Sequence, residues 1–173
     1  MKLYGDSNTL PANSDDAPAE ELAALKLLWA DKGSEWFTSH LVAYEAMKTK
    51  DESKKGTLVR EHQGRTSVPK DEKIVGYCAQ TSHTGGFVGF ALISDVQDEG
   101  IRAELIAQGL KQRDAEHITQ AICNNCDVFV TRDKGIIKHR AWLEERFPAL
   151  RVRLPSELVL IPAPRSLAKS HPC

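Results

Sequence analysis

At 173 residues the chain is long enough to bury one well-cored domain and short for two. A formal net charge of −1, with 41% hydrophobic and 27% charged residues, excludes a strong field around the molecule, so any nucleic-acid contact must come from a local basic patch. No apolar segment precedes Asp6, and the longest apolar run, FVGFALI at 87–93, is far too short to span a bilayer; the expectation is a cytoplasmic protein with no membrane contact.

KLYGDSN fits a first strand ending at Asp6. DDAPAEELAALKLLWADKG then reads as a punctuated helix: Asp16 or its neighbour caps it, Pro18 and Glu20 suit the first turn, and Lys32 and Gly33 suit its end. Leu22, Leu25, Leu28 and Trp29 form one apolar stripe along it. SEWFTS predicts a second strand, and a helix follows from about Ser39 through Met47. KDESKKGTLVREHQGRTSVPK is polar and charged like a mobile loop, and TGGFVGFALIS fits a strand, a hairpin or an insertion. IRAELIAQGL and DAEHITQAIC are two helical segments broken at Gly109. VFVT, 128–131, is a short buried strand, IIKHRAWLEERF an amphipathic stretch closed by Pro148, and LRVRL a last strand before Pro155. The tail from Pro162 is rich in proline and basic residues, with the composition of a disordered terminus. Strands alternating with helices predict one α/β domain over 1–160: helices on both faces of a central, mostly parallel sheet.

Four cysteines, at 78, 123, 126 and 173, with no signal peptide, argue for free thiols. The pair in CNNC follows a helix and precedes a strand, the reverse of the order that places a redox cysteine at a helix N-terminus. Zinc would need a second pair of ligands, and the sequence offers no matching one.

Acidic residues fall where apolar or turn residues are expected. Asp114 shares a helix face with Ile118, Ala121 and Ile122, and His117 lies on the same side. Glu45 follows Leu41 by four and Val42 by three, again on a face that should be buried. Asp6 and Asp133 each stand at the mouth of a strand, where open α/β sheets bind ligands. Taken singly, these residues also suit an N-cap, a turn or a surface charge, and His117 suits a packed, hydrogen-bonded histidine. If the two strands are neighbours, four carboxylates converge, and their repulsion calls for protonation or a divalent cation. An oxygen-only cluster suits Mg²⁺ or Mn²⁺ better than zinc, and its favoured chemistry is in-line displacement at phosphorus.

LYGDSN, TSHLVAYE, RDAEHITQAI and DVFVTRDKG, in that order and followed by VRLPSEL, resemble the motifs of the PIN-domain nucleases, which include the VapC-type toxins of bacterial toxin–antitoxin pairs. The resemblance covers about residues 1–50 and 100–160; residues 51–100 are longer than a compact member needs. It implies a three-layer α/β/α sandwich and an endoribonuclease acting on single-stranded RNA. It further implies that Asp6, Glu45, Asp114 and Asp133 hold Mg²⁺ or Mn²⁺, with Asn8 and Thr131 orienting the cluster or the attacking water. An antitoxin protein and a homodimer are the partners it implies. Cations near the cluster would meet the RNA backbone, Arg132 and Lys134 first, then Lys54, Lys55, Arg60 and Arg65. Two other classes compete: a PIN-like module that binds RNA or protein without cutting, and a phosphotransfer domain acting through Asp6. The second wants an Asp two residues later, where this chain has Asn8.

Overall fold

A computed structural model describes residues 1–13, 16–31, 33–63, 66–67 and 98–159. Five strands, β1 (Lys2–Gly5), β2 (Glu35–Thr38), β3 (Thr66–Ser67), β4 (Val128–Val130) and β5 (Arg151–Arg153), form one sheet in the order β3-β2-β1-β4-β5. Every pairing is parallel, with Tyr4 beside Phe37 on one side and beside Phe129 on the other. Parallel neighbours need long crossovers, and helices supply them. Helix α1 (Ala19–Ala30) joins β1 to β2, and α2 (His40–Met47) and α3 (Glu52–Gln63) precede β3. Helices α4 (Glu99–Ala107) and α5 (Gln112–Cys123) lead into β4, and α6 (Lys134–Ile137) and α7 (Arg140–Arg146) lead to β5, after which α8 (Pro155–Val159) ends the described chain.

Because strand side chains alternate, consecutive residues bury on opposite faces. Leu3, Val128 and Val130 pack with Leu28, Trp36 and Leu158 under α1 and α8. Tyr4, Phe129 and Val152 pack with Leu105, Ile118, Ala121 and Leu143 under α4, α5 and α7. With both faces covered, β4 reads as an unbroken apolar run, VFV, buried throughout, whereas the edge strand β5, RVR, keeps its first arginine exposed. The chain runs outward from β1 to β3 and returns to β4 on β1's other side, so β1 and β4 flank the topological switch point.

The helix ends follow local chemistry. Gly109, at φ 96°, closes α4 with its N–H donating to the Ile106 carbonyl and the next N–H, of Leu110, donating to Leu105. Asn125, at φ 52°, closes α5 in the same way, its N–H bonding Ile122 while that of Cys126 bonds Ala121. CNNC is therefore a helix stop, and burial pushes the Cys126 thiol up to about 12, far from a reactive thiolate.

Three expectations change. Residues 52–63 are helix α3 rather than loop; one buried leucine, Leu58, anchors it on Leu10, Val42 and Ala46 with Val59 packing partly beside it, and the mostly polar remainder concealed it. The N-cap of α1 is Pro18, without a side-chain cap, while Asp16 instead faces Arg132 at 3.7 Å. The amphipathic stretch after β4 is two short helices meeting at Lys138–His139. TGGFVGFALIS and the tail from Pro162 lie outside the described residues.

If α3 is anchored through one residue, Leu58→Ala should lower the unfolding free energy by about 2–5 kcal/mol. Lys55→Ala, which removes only an exposed pair with Glu52, should change it by less than about 0.5 kcal/mol. Urea denaturation of both variants checks this; a loop at 52–63 would leave the two alike.

Candidate active site

Asp6 sits one residue beyond β1 and caps a single 3₁₀ turn, Ser7–Thr9, its Oδ1 accepting the Asn8 N–H at 3.1 Å. Its other oxygen accepts the Thr131 hydroxyl at 2.6 Å, and Thr131 stands just past the end of β4. The adjacency of β1 and β4, on which convergence of the acids depended, is thus present, and this bond ties their ends together. Thr131 is bifunctional, because its oxygen also accepts the Asp133 N–H at 3.0 Å. Asp133 in turn caps α6, with Oδ1 accepting the Gly135 N–H at 2.6 Å. A Cβ at position 135 would stand 2.9 Å from that oxygen, so a larger residue there would push the Asp133 carboxylate out of this position.

The helices bring the other two acids. Glu45 lies half-buried on α2 and accepts hydrogen bonds from His117 Nε2, at 3.3 Å, and from Ser7. Asp114 lies in the first turn of α5. Burial opposes the Glu45 charge, but His117, Ser7 and the attraction of Arg113 outweigh it and hold the group below the usual glutamate value. Asp6 behaves in the opposite way. Burial pushes it up to about 6 against the Thr131 and Asn8 hydrogen bonds, and the Glu45 charge adds to the rise. Asp114 is also raised, by burial first and then by repulsion from Asp133 and Glu45, with Lys111 offsetting part of it. Glu45 thus raises both Asp6 and Asp114, and Asp133 raises Asp114.

Sequence reasoning missed what lies behind them. The fully buried Tyr4 hydroxyl contacts Ser39 Oγ at 2.6 Å and His117 Nδ1 at 2.9 Å, and His117 Nε2 reaches Glu45. With an ionised Glu45 and a neutral imidazole the direction is forced: Nε2–H donates to the carboxylate, so Nδ1 must accept from Tyr4. Tyr4 has then spent its single hydrogen and accepts from Ser39. His117 is therefore the packed, hydrogen-bonded histidine of the plainer reading, and it orients an acid as well. The one sequence signal was its position three residues after Asp114.

The expected substrate cations have different surroundings. Arg132 donates through Nε to the Asn8 carbonyl at 2.8 Å and through Nη2 to the Asn13 carbonyl at 3.0 Å, clamping the chain after β1. Lys134 is exposed on the first turn of α6. Asn8 contributes its backbone at both contacts, donating to Asp6 and accepting from Arg132. Lys54, Lys55 and Arg60 line α3, and Arg65 lies outside the described residues.

No protein-family model matches the sequence, and no curated protein does. A chain of the VapBC2 complex from Rickettsia felis, crystallised bound to a DNA fragment from their promoter, superimposes with a TM-score of 0.53 at 19% identity, over 88% of this chain and 98% of that one. The fold is PIN-like.

In a PIN-like fold the question is whether the acids fit a metal. As donors they do: they offer oxygen alone, and Asp6 and Asp114 are raised by burial first and by neighbouring carboxylates second, the condition a hard divalent cation relieves. Their spacing is more open than that of a closed site, since among the described residues no three His, Cys, Asp or Glu side chains are grouped closely enough to hold an ion. Bonds to Thr131, Gly135 and His117 hold Asp6, Asp133 and Glu45 individually.

The raised pKa of Asp6 sets a stability prediction. The folded value lies above the ordinary 3.8, so stability falls as pH rises from about 4 to about 6, and an ionised Asp6 costs the metal-free fold about 3 kcal/mol above that. Asp6→Asn keeps an acceptor for Thr131 and loses the charge. In EDTA at about pH 7.5 it should unfold about 1–3 kcal/mol later than wild type, with the gap closing near pH 4. Denaturant titrations at both pH values test this, and a variant less stable at neutral pH would refute the account of Asp6.

Proposed function

We propose that the protein is a divalent-metal-dependent endoribonuclease that hydrolyses RNA phosphodiester bonds, and that it serves as the toxin of a toxin–antitoxin pair. One observation carries the reading: four carboxylates stand around the switch point between β1 and β4, and two of them are raised, Asp6 to about 6 and Asp114, by burial first and then by the charge of neighbouring acids. The likeness of fold to a VapBC2 chain accords with it.

Asp6, Glu45, Asp114 and Asp133 would hold Mg²⁺ or Mn²⁺. When bound, the ion supplies hydroxide near neutral pH and stabilises the leaving oxygen. The chain's residues do the rest. Thr131 fixes the rotamer of Asp6 and the backbone of Asp133 together, so both carboxylates keep one geometry. The chain from Ser39 through Tyr4 and His117 points a donor at Glu45, holding it ionised and facing inward. Arg132 is engaged with carbonyls, which leaves Lys134 as the cation at the end of β4 placed to meet an RNA phosphate. A small antitoxin protein would be the partner that covers this end of the sheet, and a homodimer would present two such ends.

The alternative is a PIN-like module that binds RNA or protein without cutting. The open spacing of the acids favours it.

Purified protein incubated with a panel of structured RNAs separates the two readings. With Mg²⁺ or Mn²⁺ the wild type should cut single-stranded or loop regions, EDTA should abolish cutting, and Asp6→Asn and Asp114→Asn should each lower the rate by about two orders of magnitude or more. Equal cutting by wild type and both variants would sink the assignment.

A further inference from the structure

A polyanionic substrate is repelled by four carboxylates, and with a net charge of −1 the molecule as a whole offers no compensating field. Attraction must come from cations beside the acids. One such group stands on the flank formed by α2 and α5. Tyr44, exposed on α2, directly precedes Glu45, and Arg113 directly precedes Asp114 on α5. The Arg113 guanidinium carbon lies 5.2 Å from the centre of the Tyr44 ring, and Lys48 Nζ lies 4.1 Å from it. Arg113 is anchored from behind by Glu116, which accepts from its Nη1 at 3.0 Å. Glu116 is itself buried and is held further by Gln112 and Arg102. The attraction of Arg113 also reaches Glu45, which fixes the group beside the acids.

A surface aromatic ring with two cations over it and an acidic cluster beside it has the parts that a nucleobase and its flanking phosphates need. We propose that Tyr44 is a stacking platform for one unpaired nucleobase of single-stranded RNA, with Lys48 and Arg113 meeting the flanking phosphates. The inference rests on the ribonuclease reading and gives it a substrate-binding surface. A base stacked on an aromatic ring is held more strongly than an exposed ammonium over the same ring. An arriving base therefore displaces Lys48 from the ring face, and the freed ammonium turns to phosphate. Arg113, held by Glu116, keeps its place and loses less conformational freedom on binding. Duplex RNA is excluded because its base faces are already covered by their neighbours.

The test uses a labelled single-stranded oligoribonucleotide of about ten nucleotides, matched to the span that such surfaces hold, with one 2-aminopurine at its centre. Binding to the full-length protein is read in EDTA by anisotropy and by quenching of the 2-aminopurine. Tyr44→Ala should weaken binding about 10-fold and remove the quenching, while Tyr44→Trp stays within about 3-fold of wild type. Lys48→Gln should reduce the slope of log affinity against log salt by about 0.7, the value of one single-strand phosphate contact. Equal affinity of Tyr44→Ala and wild type, equal binding of a duplex of the same sequence, or no binding by wild type overturns the inference and leaves Tyr44 to a protein partner. Because binding is read without cleavage, the two proposals fail separately. A protein that quenches through Tyr44 but never cuts keeps the platform and loses the nuclease, and one that cuts identically with Tyr44→Ala does the reverse.

Discussion

The hydrogen bond from Thr131 to the buried carboxylate of Asp6 joins the ends of the two strands on which the candidate site is built. In a parallel sheet the strand ends at one edge all point the same way, and the polar groups that terminate them must find partners or water. Between β1 and β4 the crossovers lead away in opposite directions, which opens a cleft that neither covers. Asp6 and Thr131 fill its floor with a donor–acceptor pair, and Thr131 passes the constraint to Asp133 through its second contact. Burial still leaves Asp6 raised to about 6, so the bond offsets only part of the cost of a buried charge. A fold that retains so costly a group at its switch point has stability to gain from losing it.

The same physics orders the surroundings. Glu45 and Asp114 come from α2 and α5, and both helices carry buried faces: Leu41, Val42 and Ala46 on the first, Ala115, Ile118 and Ala121 on the second. Side chains three or four positions apart share a face, so burying Val42 and Ala46 against Leu10 and Leu58, and the α5 residues against Tyr4 and Phe129, obliges Glu45 and His117 to turn inward with them. Tyr4 does two jobs at this point. Its ring stacks on Phe129 at 5.5 Å within the core, while its hydroxyl meets Ser39 and His117 at the core's edge.

Much of this was legible in the chain. The parallel α/β architecture, the helical segments before β4, and the standing of Asp6 and Asp133 at strand mouths follow from periodicity and from the alternation of strands with helices; that the two strands are neighbours was a condition that only the sheet order meets. The CNNC segment was legible as well, since order along the chain argues against a redox pair, and the αL conformation of Asn125 supplies the reason those residues stand there. Helix α3 was not legible, because only Leu58 of its twelve residues is buried, and Leu58 with its neighbour Val59 makes one adjacent apolar pair that carries no helical period. Its helicity depends on Leu10, Val42 and Ala46, three residues from elsewhere in the chain. Nor was the link between Tyr4, Ser39, His117 and Glu45, whose members lie 35, 113 and 72 residues apart. Side-chain pairing over such separations is set by the register of the sheet, and no local pattern carries it.

Arg132 and Arg113 show how the site divides its positive charge. Both arginines lie next to an acid in sequence, and charge alone would give them the same role. The planar guanidinium of Arg132 bonds two backbone carbonyls and has Asp16 beside it, a geometry that fixes the loop after β1 and so the orientation of Asp6. That of Arg113 bonds one buried carboxylate and turns the rest of itself toward the Tyr44 ring. The carbonyl acceptors of Arg132 are neutral and the acid beside it, Asp16, is exposed and 3.7 Å away, so what Arg132 supplies to the site is the clamp on the loop. Arg113 is paired with buried Glu116, yet its attraction still reaches Glu45, so it brings both charge and a flat stacking surface to the Tyr44 flank. The two positions differ in what they touch rather than in what they are, and it is the touching groups, carbonyls in one case and an aromatic face in the other, that decide which arginine holds the site and which one faces outward.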